Sequence, residues 1–560
     1  MTARPDAIRP ACTVVLVRDG PEGLETLLLR RDPGARFLGG FHVFPGGAAG
    51  PEDRDARALA RLGGLDDAEA SARLGLPAHG AGFWLAAVRE TVEECGIVLA
   101  VDERSGVLDR ARLEAALADR PALLAGQLSF VDWLGRHALV VPARALVYFD
   151  HWLTPATRPR RFDTRFFLAR APEGQVASHD GAEVVDARWA RPADALDDAK
   201  RGAIEIANAT AATLRLLATR ASVDAALAAA RSLGAIEANR PCVAQGSGGA
   251  RTFHRDDAAY YEIHWSDPSE SMQTSYDLTP GAPKRLDARV VRVIAPNRGV
   301  MTGAGTNSYF VGERELAVID PGPLDESHLA ALIAHGDGRI RWILCTHTHR
   351  DHSPAAAALA AATGARVIGM PAPAGPRQDA TFLPDHVVRD GEVLALGDIA
   401  LTALHTPGHA SNHVCYLFGA TGMLFTGDHV MQGTTVVIAP PDGDMRQYLA
   451  SLERLLTFVV AIIAPGHGYL IGQPQRELRK LIGHRLWREA RVLDAVVRLG
   501  PAGIDAMLDE VYPDVPDKLR VPAARSLEAH LIKLVEDGRI REAGGRYVAS
   551  IRAAATAWSG

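Results

Sequence analysis

The chain has 560 residues and a formal net charge of −6 at pH 7, with 47% hydrophobic and 23% charged residues. This length exceeds what one hydrophobic core supports, so we expect three or four domains. The composition is typical of a globular protein. The negative charge argues against nucleic acid wrapping over the whole surface, although a local basic face remains compatible with phosphate binding.

The cysteines indicate a reducing compartment, because the five of them are scattered and form no Cys-x-x-Cys pair. The amino terminus lacks the basic and apolar pattern of a signal peptide, and no uninterrupted apolar stretch approaches the roughly 20 residues that span a bilayer. We therefore predict a cytoplasmic protein without membrane contact. Oligomers remain compatible with the sequence.

The amino-terminal region is predicted to form one domain, residues 1–220. It begins with two strands at 11–17 and 25–29, which a Gly/Pro turn separates, and the glycine-rich residues 44–47 follow. A helical pattern at 194–217 closes the domain.

Three glutamates form the first candidate site. Glu90, Glu93 and Glu94 are spaced i, i+3 and i+4, so their carboxylates share one face of a predicted helix. Hard oxygen ligands of this kind suit Mg²⁺ or Mn²⁺ bound together with a diphosphate. A solvated acidic face is the alternative for such spacing in isolation.

These residues resemble the Nudix box. The residues that match its REUXEEXGU half are Arg89, Glu90, Glu93, Glu94 and Gly96. Gly46 and Glu52 match its GX5E start, and residues 53–88 form an insertion between the halves. The resemblance implies an α/β/α sandwich in which the three glutamates bind the metal ion and, with the arginine, carry the catalysis.

The segment 27–47 also resembles the coenzyme A-recognition signature of Nudix CoA diphosphatases. The matching candidate ligand-binding residues are Arg31, Arg36, Gly40, Gly46 and Gly47. Leu29 and Asp32 stand where the signature usually has Thr and Ser. The resemblance implies a small nucleotide or CoA-type substrate.

Residues 221–285 are predicted to be a connector. An Ala-rich helix is expected at 222–233, and a polar stretch containing glycine follows at 245–251. The segment 254–276 has too many aromatic residues for a flexible linker, so we expect it to pack onto one of the enzymatic domains.

A dense group of metal-ligand side chains occurs at 346–352, directly after the apolar run 342–345 of a predicted strand. Neutral imidazole and carboxylate are ligands that Zn²⁺ takes. The set is completed by three residues beside turn Gly or Pro: His409, Asp428 and His467. A lone histidine is usually structural, but this clustering favours a metal centre.

We assign these ligands to two Zn²⁺ ions. His347 and His349 are alternate residues of an extended chain and can project the same way. Asp351 and His352 are displaced from them far enough to reach a second ion. The first ion is assigned to His347, His349 and His409, the second to Asp351, His352 and His467, and Asp428 bridges them. Asp351 is also counted as catalytic. Water activated by the metal is the expected nucleophile, because coordination lowers its pKa.

The motif HxHxDH at 347–352 resembles that of the metallo-β-lactamase superfamily, and Asp320 fits the family's early strand-end aspartate. The resemblance implies an αββα sandwich over residues 286–474, with the metal ions at its edge. The superfamily hydrolyses β-lactams, thioesters, phosphodiesters and lactones, so the ligands define the machinery better than the substrate.

The carboxyl-terminal region, 475–560, begins with a long predicted helix at 475–499. Basic residues recur every four positions along one side of this helix: Arg476, Lys480, His484 and Arg488. They could contact a polyanion, or they could simply form a solvated face. Helices at 504–511 and 523–536, followed by a short hairpin, predict a winged helix. Its candidate phosphate contacts are Arg525, Lys533, Arg539, Arg541 and Arg546.

The chain from 303 through 546 resembles the β-lactamase-like protein 2 group. Landmarks of the group are 427–428, 433–435, 465–468, 484–485 and 488–489. The group joins a metallo-β-lactamase domain to a small winged-helix-like domain, and its animal member is an endoribonuclease on single-stranded RNA. The resemblance therefore makes single-stranded RNA a possible partner.

We interpret the chain as a metallohydrolase with two catalytic heads. The Nudix-like head would cleave a diphosphate, and the central head a phosphodiester such as RNA, an ester or a thioester. One alternative is an acyl-CoA degrading enzyme with thioesterase and diphosphatase heads and no RNA role. The other alternative is a non-catalytic module that binds nucleic acid. The intact sets of candidate ligands argue against it.

Overall fold

The structure, a computed structural model, describes residues 8–35, 38–158, 160–513 and 515–550. It divides into two compact units, one ending at Pro241 and the other beginning at Cys242. This division falls inside the predicted connector, and the finer division into four regions stays a prediction. No helix in the described ranges combines the length and the apolar character needed to cross a bilayer.

The first unit contains a mixed sheet, a small second sheet and surrounding helices. Its strands are β1 (Arg9–Gly20), β2 (Gly23–Arg31), β3 (His42–Val43), β4 (Gly46–Ala48), β5 (Leu62–Gly63), β6 (Val101–Asp102), β7 (Leu139–Pro142), β8 (Val147–Leu153), β9 (Phe162–Arg170) and β10 (Val184–Ala190). Its helices are α1 (Ala56–Leu59), α2 (Asp67–Leu74), α3 (Ala81–Cys95), α4 (Arg110–Ala118), α5 (Arg120–Leu124), α6 (Phe130–Arg136), α7 (Pro192–Lys200), α8 (Asn208–Ala218) and α9 (Val223–Arg231).

The strand order of the main sheet is β10-β2-β1-β9-β8, with β3 added beside β2 and β4 beside β1. β1 and β2 form the predicted antiparallel hairpin, whereas β1 and β9 are parallel. One face of the sheet packs against α3, and α7, α8 and α9 cover the other. The predicted α/β/α sandwich is therefore confirmed. The single helical pattern at 194–217 is two helices, α7 and α8.

Helix α3 carries the predicted glutamates and is buried along almost its whole length. It ends at Gly96, whose φ of +66° is a left-handed conformation that glycine adopts at little cost. The insertion before the glutamates supplies a short 3₁₀ helix at 52–54, α1, β5, α2 and the first half of α3. These elements bury α3 and place the carboxylate of Asp53 in the interior.

The second unit contains two larger sheets and a carboxyl-terminal helical region. Its strands are β11 (Cys242–Ala244), β12 (Arg251–Phe253), β13 (Lys284–Arg285), β14 (Val290–Ile294), β15 (Asn307–Val311), β16 (Leu316–Ile319), β17 (Ile340–Leu344), β18 (Arg366–Gly369), β19 (His386–Val387), β20 (Val393–Leu396), β21 (Ile399–His405), β22 (Val414–Phe418), β23 (Met423–Gly427), β24 (Ile462–Pro465), β25 (Ile540–Ala543) and β26 (Arg546–Ala549). Its helices are α10 (Tyr260–Ser266), α11 (Glu326–Gly336), α12 (Ala356–Thr363), α13 (Met445–Leu455), α14 (Pro474–Leu499), α15 (Ile504–Val511) and α16 (Arg520–Glu536).

One sheet runs β13 through β19 in chain order, and the other runs β20 through β24. Apolar side chains from both sheets form a shared core, which includes Tyr309, Leu344 and Phe425. Helices α11 and α12 cover the outer face of the first sheet, and α13 and α14 cover that of the second. These layers confirm the predicted αββα sandwich.

The carboxyl-terminal region confirms the predicted winged helix. The long helix α14 precedes α15, α16 and the β25–β26 hairpin. Side chains of α14, such as Val492 and Val496, share a core with Leu527 and Leu531 of α16. This core ties the small domain to the end of the long helix.

The aromatic segment predicted to pack onto an enzymatic domain does so within the second unit. Tyr260 and Ile263 of α10 are buried with Phe253, and Tyr469 packs against this cluster. Tyr469 lies two residues after the predicted ligand His467, so the segment contacts the edge of the sandwich that carries the metal ligands.

Candidate metal centres

The predicted ligands of the second unit all follow the ends of strands. Residues 347–352 come after β17, and His409 comes after β21. Asp428 and His467 come after β23 and β24, which are parallel neighbours. Because the carboxyl ends of parallel strands meet at one edge of a sheet, these side chains converge at the edge of the sandwich.

The structure brings the seven ligands together in two groups. His347, His349 and His409 form one group, and Asp351, His352, Asp428 and His467 form the other. Within each group the candidate ligand atoms all lie within 4.8 Å of one another. The grouping agrees with the predicted assignment of ligands to two ions, and the individual roles remain proposals.

Asp428 lies between the two groups. Its Oδ1 is 3.4 Å from Nε2 of His352 and 3.3 Å from Nε2 of His467. Its Oδ2 faces the other way and lies 3.9 Å from Nε2 of His409. One carboxylate oxygen therefore faces each group, which is the arrangement that a bridging ligand needs.

Hydrogen bonds behind the rings orient the histidines. Nδ1 of His409 bonds the carbonyl of Val437 at 2.8 Å, and Nδ1 of His467 bonds that of Gly305 at 3.1 Å. Such bonds fix the tautomer, so that Nε2 is left with a lone pair toward the centre. His349 presents its other ring nitrogen to the centre, since its Nδ1 lies 3.0 Å from Nε2 of His409.

Buried ligand atoms without partners test whether the site fits metal ions. Nε2 of His347, His352 and His467 and Oδ1 of Asp428 have no hydrogen-bond partner among the described residues. An unsatisfied buried polar atom is costly, and here four such atoms meet at one edge of the sandwich. The donor set therefore fits divalent cations, which imidazole nitrogen and carboxylate oxygen coordinate.

The charge balance differs between the two groups. Burial, reinforced by the neighbouring His352, holds the pKa of His347 well below its ordinary value. Burial also opposes protonation of His467, but Asp428 and Asp351 outweigh it and raise the pKa of His467 to about 9. The second group thus attracts positive charge strongly, as a cation site requires.

In the first unit, Arg89 organises the predicted Nudix residues. Its guanidinium pairs with both oxygens of Asp53, at 2.9 and 3.0 Å, and Nη1 donates to Glu90 and Glu93 at 2.9 Å each. Asp53 is buried, whereas Glu52, which the sequence pattern matched to the box, is exposed at the start of the 3₁₀ helix. Asp53 was not predicted as part of the site, because the insertion obscures the spacing of the motif.

Two glycines bring β4 close to the glutamates of α3. The backbone N–H of Gly46 donates to Glu94 at 2.8 Å. A Cβ on Gly47 would lie 2.5 Å from the carboxylate of Glu90. Burial raises the pKa of Glu90 to about 7 and that of Glu94 well above its ordinary value. Within the described residues, the three glutamates do not form a group with all ligand atoms inside 4.8 Å.

Comparison with known proteins places these sites in families. Three family models match the chain. The model of the metallo-beta-lactamase superfamily matches residues 301–467, that of the NUDT19 Nudix domain matches residues 60–215, and that of the beta-lactamase associated winged helix domain matches residues 504–547. The lactamase-like protein aptB of Emericella nidulans is 30% identical over 272 residues, which are 46% of this chain and 84% of that protein. The chain belongs to the metallo-β-lactamase superfamily.

Two further relatives match an equal share of the chain. The beta-lactamase-like protein 2 homolog of Drosophila melanogaster is 30% identical over 271 residues, 46% of this chain and 91% of that protein. The atrochrysone carboxyl ACP thioesterase of Aspergillus fumigatus is 31% identical over 278 residues, 46% of this chain and 84% of that protein. With its added Nudix and winged-helix domains, the chain is a metal-dependent hydrolase with two hydrolase domains.

Two histidines of the metallo-β-lactamase domain were not predicted as part of the site. His413 is buried, with its ring 5.0 Å from that of His347, and its Nδ1 lies 3.0 Å from Oγ1 of Thr406. His429 follows Asp428 and lies 5.5 Å from His413, ring to ring. His413 packs against the first ligand group, and His429 packs against His413. Neither lies in a recognisable ligand spacing, so only the fold reveals them.

The predicted CoA-binding residues of the Nudix domain are only partly described. Arg31 pairs with Glu183 at 2.6 Å. Gly40 has a φ of +81° and donates its N–H to the carbonyl of Arg31 at 3.3 Å. Arg36 lies outside the described residues. The backbone therefore links Gly40 to Arg31, and their role in substrate binding remains a proposal.

The basic residues of α14 do not form one equivalent row. Arg476 donates to Gln473 at 3.0 Å, and Lys480 pairs with Glu477 at 3.1 Å. Arg488 lies over the ring of Tyr512, 4.2 Å from its centroid, inside the winged-helix contact. In the winged helix itself, the candidate phosphate contacts with exposed positions are Arg525, Arg539, Arg541 and Arg546, whereas Lys533 is half-buried.

Proposed function

We propose that the metallo-β-lactamase domain hydrolyses a thioester and that the Nudix domain hydrolyses the diphosphate of a CoA-type nucleotide. The position of Asp428 between two ligand groups carries the first part, because it supports a two-metal hydrolytic centre. The similarity to a carboxyl ACP thioesterase supports a thioester as the bond cleaved. The accompanying Nudix domain supports a nucleotide-linked substrate.

We assign two Zn²⁺ ions to the metallo-β-lactamase centre, held by the two ligand groups. The chemistry that such ions supply when bound is polarisation of a carbonyl and a lowered pKa of water. The protein's own contribution is orientation. Fixed Nδ1 contacts hold the imidazoles, and burial of the ligands keeps the surroundings dry, so that electrostatic interactions with the reacting group are strong.

An arginine near the metal centre supports an anionic substrate. Arg377 donates to the carbonyl of Ala439 at 2.8 Å, and burial followed by the charge of Arg525 lowers its pKa. The neighbouring Gln378 accepts a hydrogen bond from the hydroxyl of Thr348, which lies between two ligands, at 2.6 Å. Two nearby guanidinium groups favour a phosphate, and both CoA thioesters and carrier-protein thioesters contain one.

In the Nudix domain, we assign Mg²⁺ or Mn²⁺ to Glu90, Glu93 and Glu94. Such an ion neutralises charge on a diphosphate and activates water. Arg89 holds Glu90 and Glu93 through one nitrogen and anchors α3 to Asp53. Burial is the main cause of the raised pKa of Glu90 and Glu94, and neighbouring carboxylates add to it; a bound cation would offset both effects.

Single-stranded RNA is the second candidate substrate of the metallo-β-lactamase domain. The exposed arginines of the winged helix and the relation to a β-lactamase-like protein 2 homolog favour it. The predicted basic row on α14 gives it less support, because Arg488 is packed against Tyr512 and Lys480 is paired with Glu477. We therefore rank RNA below the thioester.

The decisive experiment compares hydrolysis of an acyl-CoA, free CoA and a single-stranded RNA by the parent, His349→Ala and Glu93→Ala proteins, with products identified by mass. We expect thioester cleavage to be lost only in His349→Ala and diphosphate cleavage only in Glu93→Ala. If the parent cleaves RNA but not the acyl-CoA thioester, and His349→Ala loses the RNA cleavage, a nuclease would replace the thioester proposal. Cleavage that survives both changes would contradict both assignments.

A further inference from the structure

We propose that Glu262, in the segment between the two hydrolase domains, is a positioning residue for the second metal site. Together with Arg292, it holds the loop that carries His467. The inference rests on the proposed two-metal centre. Glu262 lies outside the ranges that match the Nudix, metallo-β-lactamase and winged-helix families.

Glu262 and Arg292 form a buried ion pair. Glu262 of α10 is fully buried and Arg292 of β14 is 1% exposed. Nη1 of Arg292 donates to Oε2 of Glu262 at 2.6 Å, and Nη2 donates to Oε1 at 2.9 Å. Nζ of Lys284 also donates to Oε1, at 2.5 Å. Because the pair is bidentate and enclosed, its geometry is fixed.

Both members of this pair reach the loop that carries His467. Oε2 of Glu262 accepts the backbone N–H of Leu470 at 3.0 Å. Nη1 of Arg292 donates to the carbonyl of Gly468 at 3.2 Å. These two contacts are one and three residues beyond the ligand, so they fix the path of the backbone as it leaves His467.

Side chains of β15 hold the same loop from its other end. The hydroxyl of Tyr309 donates to the carbonyl of Pro465 at 2.7 Å. The amide of Asn307 donates to the carbonyls of Pro465 and Gly468, at 3.0 Å each. Since Tyr309 is the register partner of Arg292, the sheet and the ion pair form one rigid support.

The segment makes a second connection to the loop through Tyr469. The hydroxyl of Tyr469 donates to the carbonyl of Tyr276 at 2.7 Å, and its backbone N–H donates to Gln432 at 3.2 Å. Gln432 in turn donates to the carbonyl of Ala258 at 2.6 Å. The segment 242–285 therefore contacts the chain just after both Asp428 and His467.

Among the described ligand loops, the contacts from Glu262 and Arg292 reach only the loop of His467, which belongs to the second ligand group. The ligands of the first group, His347, His349 and His409, lie on the loops after β17 and β21 and make none of these contacts. Loss of the ion pair should therefore displace Nε2 of His467 while leaving the first group in place. Ligand positions must hold to within a few tenths of an ångström for tight metal binding, so the affinity of the second site should fall selectively.

The test measures Zn²⁺ binding by the full chain against graded chelator, in the parent and in Glu262→Gln. We expect two ions in the parent, and in the variant a second-site affinity lower by about 10-fold or more, while the first site changes by less than about 2-fold. In the metal-free proteins, hydrogen exchange in residues 465–471 should be faster in the variant. Leu332→Ala, which removes a buried side chain from α11, is the control for lost folding stability.

Unchanged second-site affinity, or equal weakening of both sites as in the control, would overturn the inference while leaving the two-metal centre intact. Fewer than two ions in the parent would overturn the proposed centre and this inference with it. Should Glu262→Gln fail to fold, Arg292→Lys keeps a cation beside Glu262, but its single amine cannot form the bidentate pair and also reach the carbonyl of Gly468. It is expected to weaken the second site selectively by about 3-fold, the equivalent of part of one hydrogen bond, and no selective change would refute the inference.

Discussion

The carboxylate of Asp320 accepts a hydrogen bond from Nδ1 of His352 at 2.9 Å. The same carboxylate accepts the N–H and the hydroxyl of Thr346 at 2.7 and 2.8 Å. Asp320 has a φ of +53°, an uncommon conformation for a residue with a side chain, and these bonds hold it there. Asp320 therefore connects the end of β16 to the ligand loop after β17.

Asp320→Asn should weaken metal binding without removing a ligand. An amide nitrogen cannot accept the bonds that the carboxylate accepts, so His352 loses its fixed orientation. We expect the metal affinity to fall by about 10- to 100-fold, measured by competition with a chelator. Asp325→Asn is the matched control, because Asp325 caps α11 away from the site and Asn caps a helix equally well. Equal affinity in the two variants would contradict this role.

Asp428→Ala should reduce the metal content of both sites. Its two oxygens face different groups, so removal of one side chain takes a ligand from each. We expect about two Zn²⁺ per chain in the purified parent and none in the variant, as measured by elemental analysis. Asp398→Ala changes an exposed turn between β20 and β21 and should retain both ions. Retention of one firmly bound ion would show that Asp428 serves a single site.

Asp53, rather than Glu52, should stabilise the Nudix domain. Asp53→Asn leaves the buried Arg89 without its bidentate partner, and removing one member of a buried pair costs about 3 kcal/mol. Glu52→Gln should change the free energy of unfolding by less than about 0.5 kcal/mol, as is usual for exposed positions. Chemical denaturation followed by a probe in the first unit measures both. A larger effect from Glu52 than from Asp53 would contradict this assignment.

Gly47→Ala should block the Nudix site by steric overlap alone. Gly47 does not have a positive φ, but its Cβ would lie 2.5 Å from the carboxylate of Glu90. Displacing Glu90, the proposed metal ligand, by about 1 Å should cost roughly 100-fold in activity, so kcat/KM for diphosphate cleavage should fall by that factor. Gly63→Ala, whose Cβ would make an ordinary 3.4 Å contact with Val140, is the control. Similar activity in both variants would exclude close packing of β4 on Glu90.

Stability of the second unit should decrease in acid because of Glu262. Burial opposes its charge, but Arg292 and Lys284 outweigh this and lower the pKa of Glu262 to about 2. A lowered pKa stabilises the folded state above the unfolded pKa, and this stability is lost as the pH falls toward about 2. The parent should therefore lose about 3 kcal/mol between pH 5 and pH 2 through this group.

Glu262→Gln provides the comparison for that pH dependence. The difference in free energy of unfolding between the parent and this variant should shrink as the pH falls from 5 to 2, because a protonated glutamate resembles glutamine. Urea unfolding at a series of pH values measures the difference. A gap that stays constant over this range would show that Glu262 does not titrate there.

The sequence by itself determined the families and the three folds, and it predicted the seven candidate metal ligands that the structure brings together. HxHxDH lies within one short loop, and Glu90, Glu93 and Glu94 lie within one helix, so local spacing is enough to identify them as candidates. Helix α15 was predicted with the bounds that the structure has, and α14 begins one residue earlier than predicted. Hydrophobic periodicity carries this information because it depends on neighbours along the chain.

Only the tertiary structure decided which residues support those ligands. Asp53 meets Arg89 across an insertion of 36 positions, and Glu262 meets Leu470 across 208. His413 reaches the site because β22 pairs with β21. No spacing rule anticipates such contacts, since they arise when strands and loops distant in sequence pack at one edge. The HxHxDH and glutamate motifs are local patterns, whereas the side chains that hold them in place are assembled by the fold.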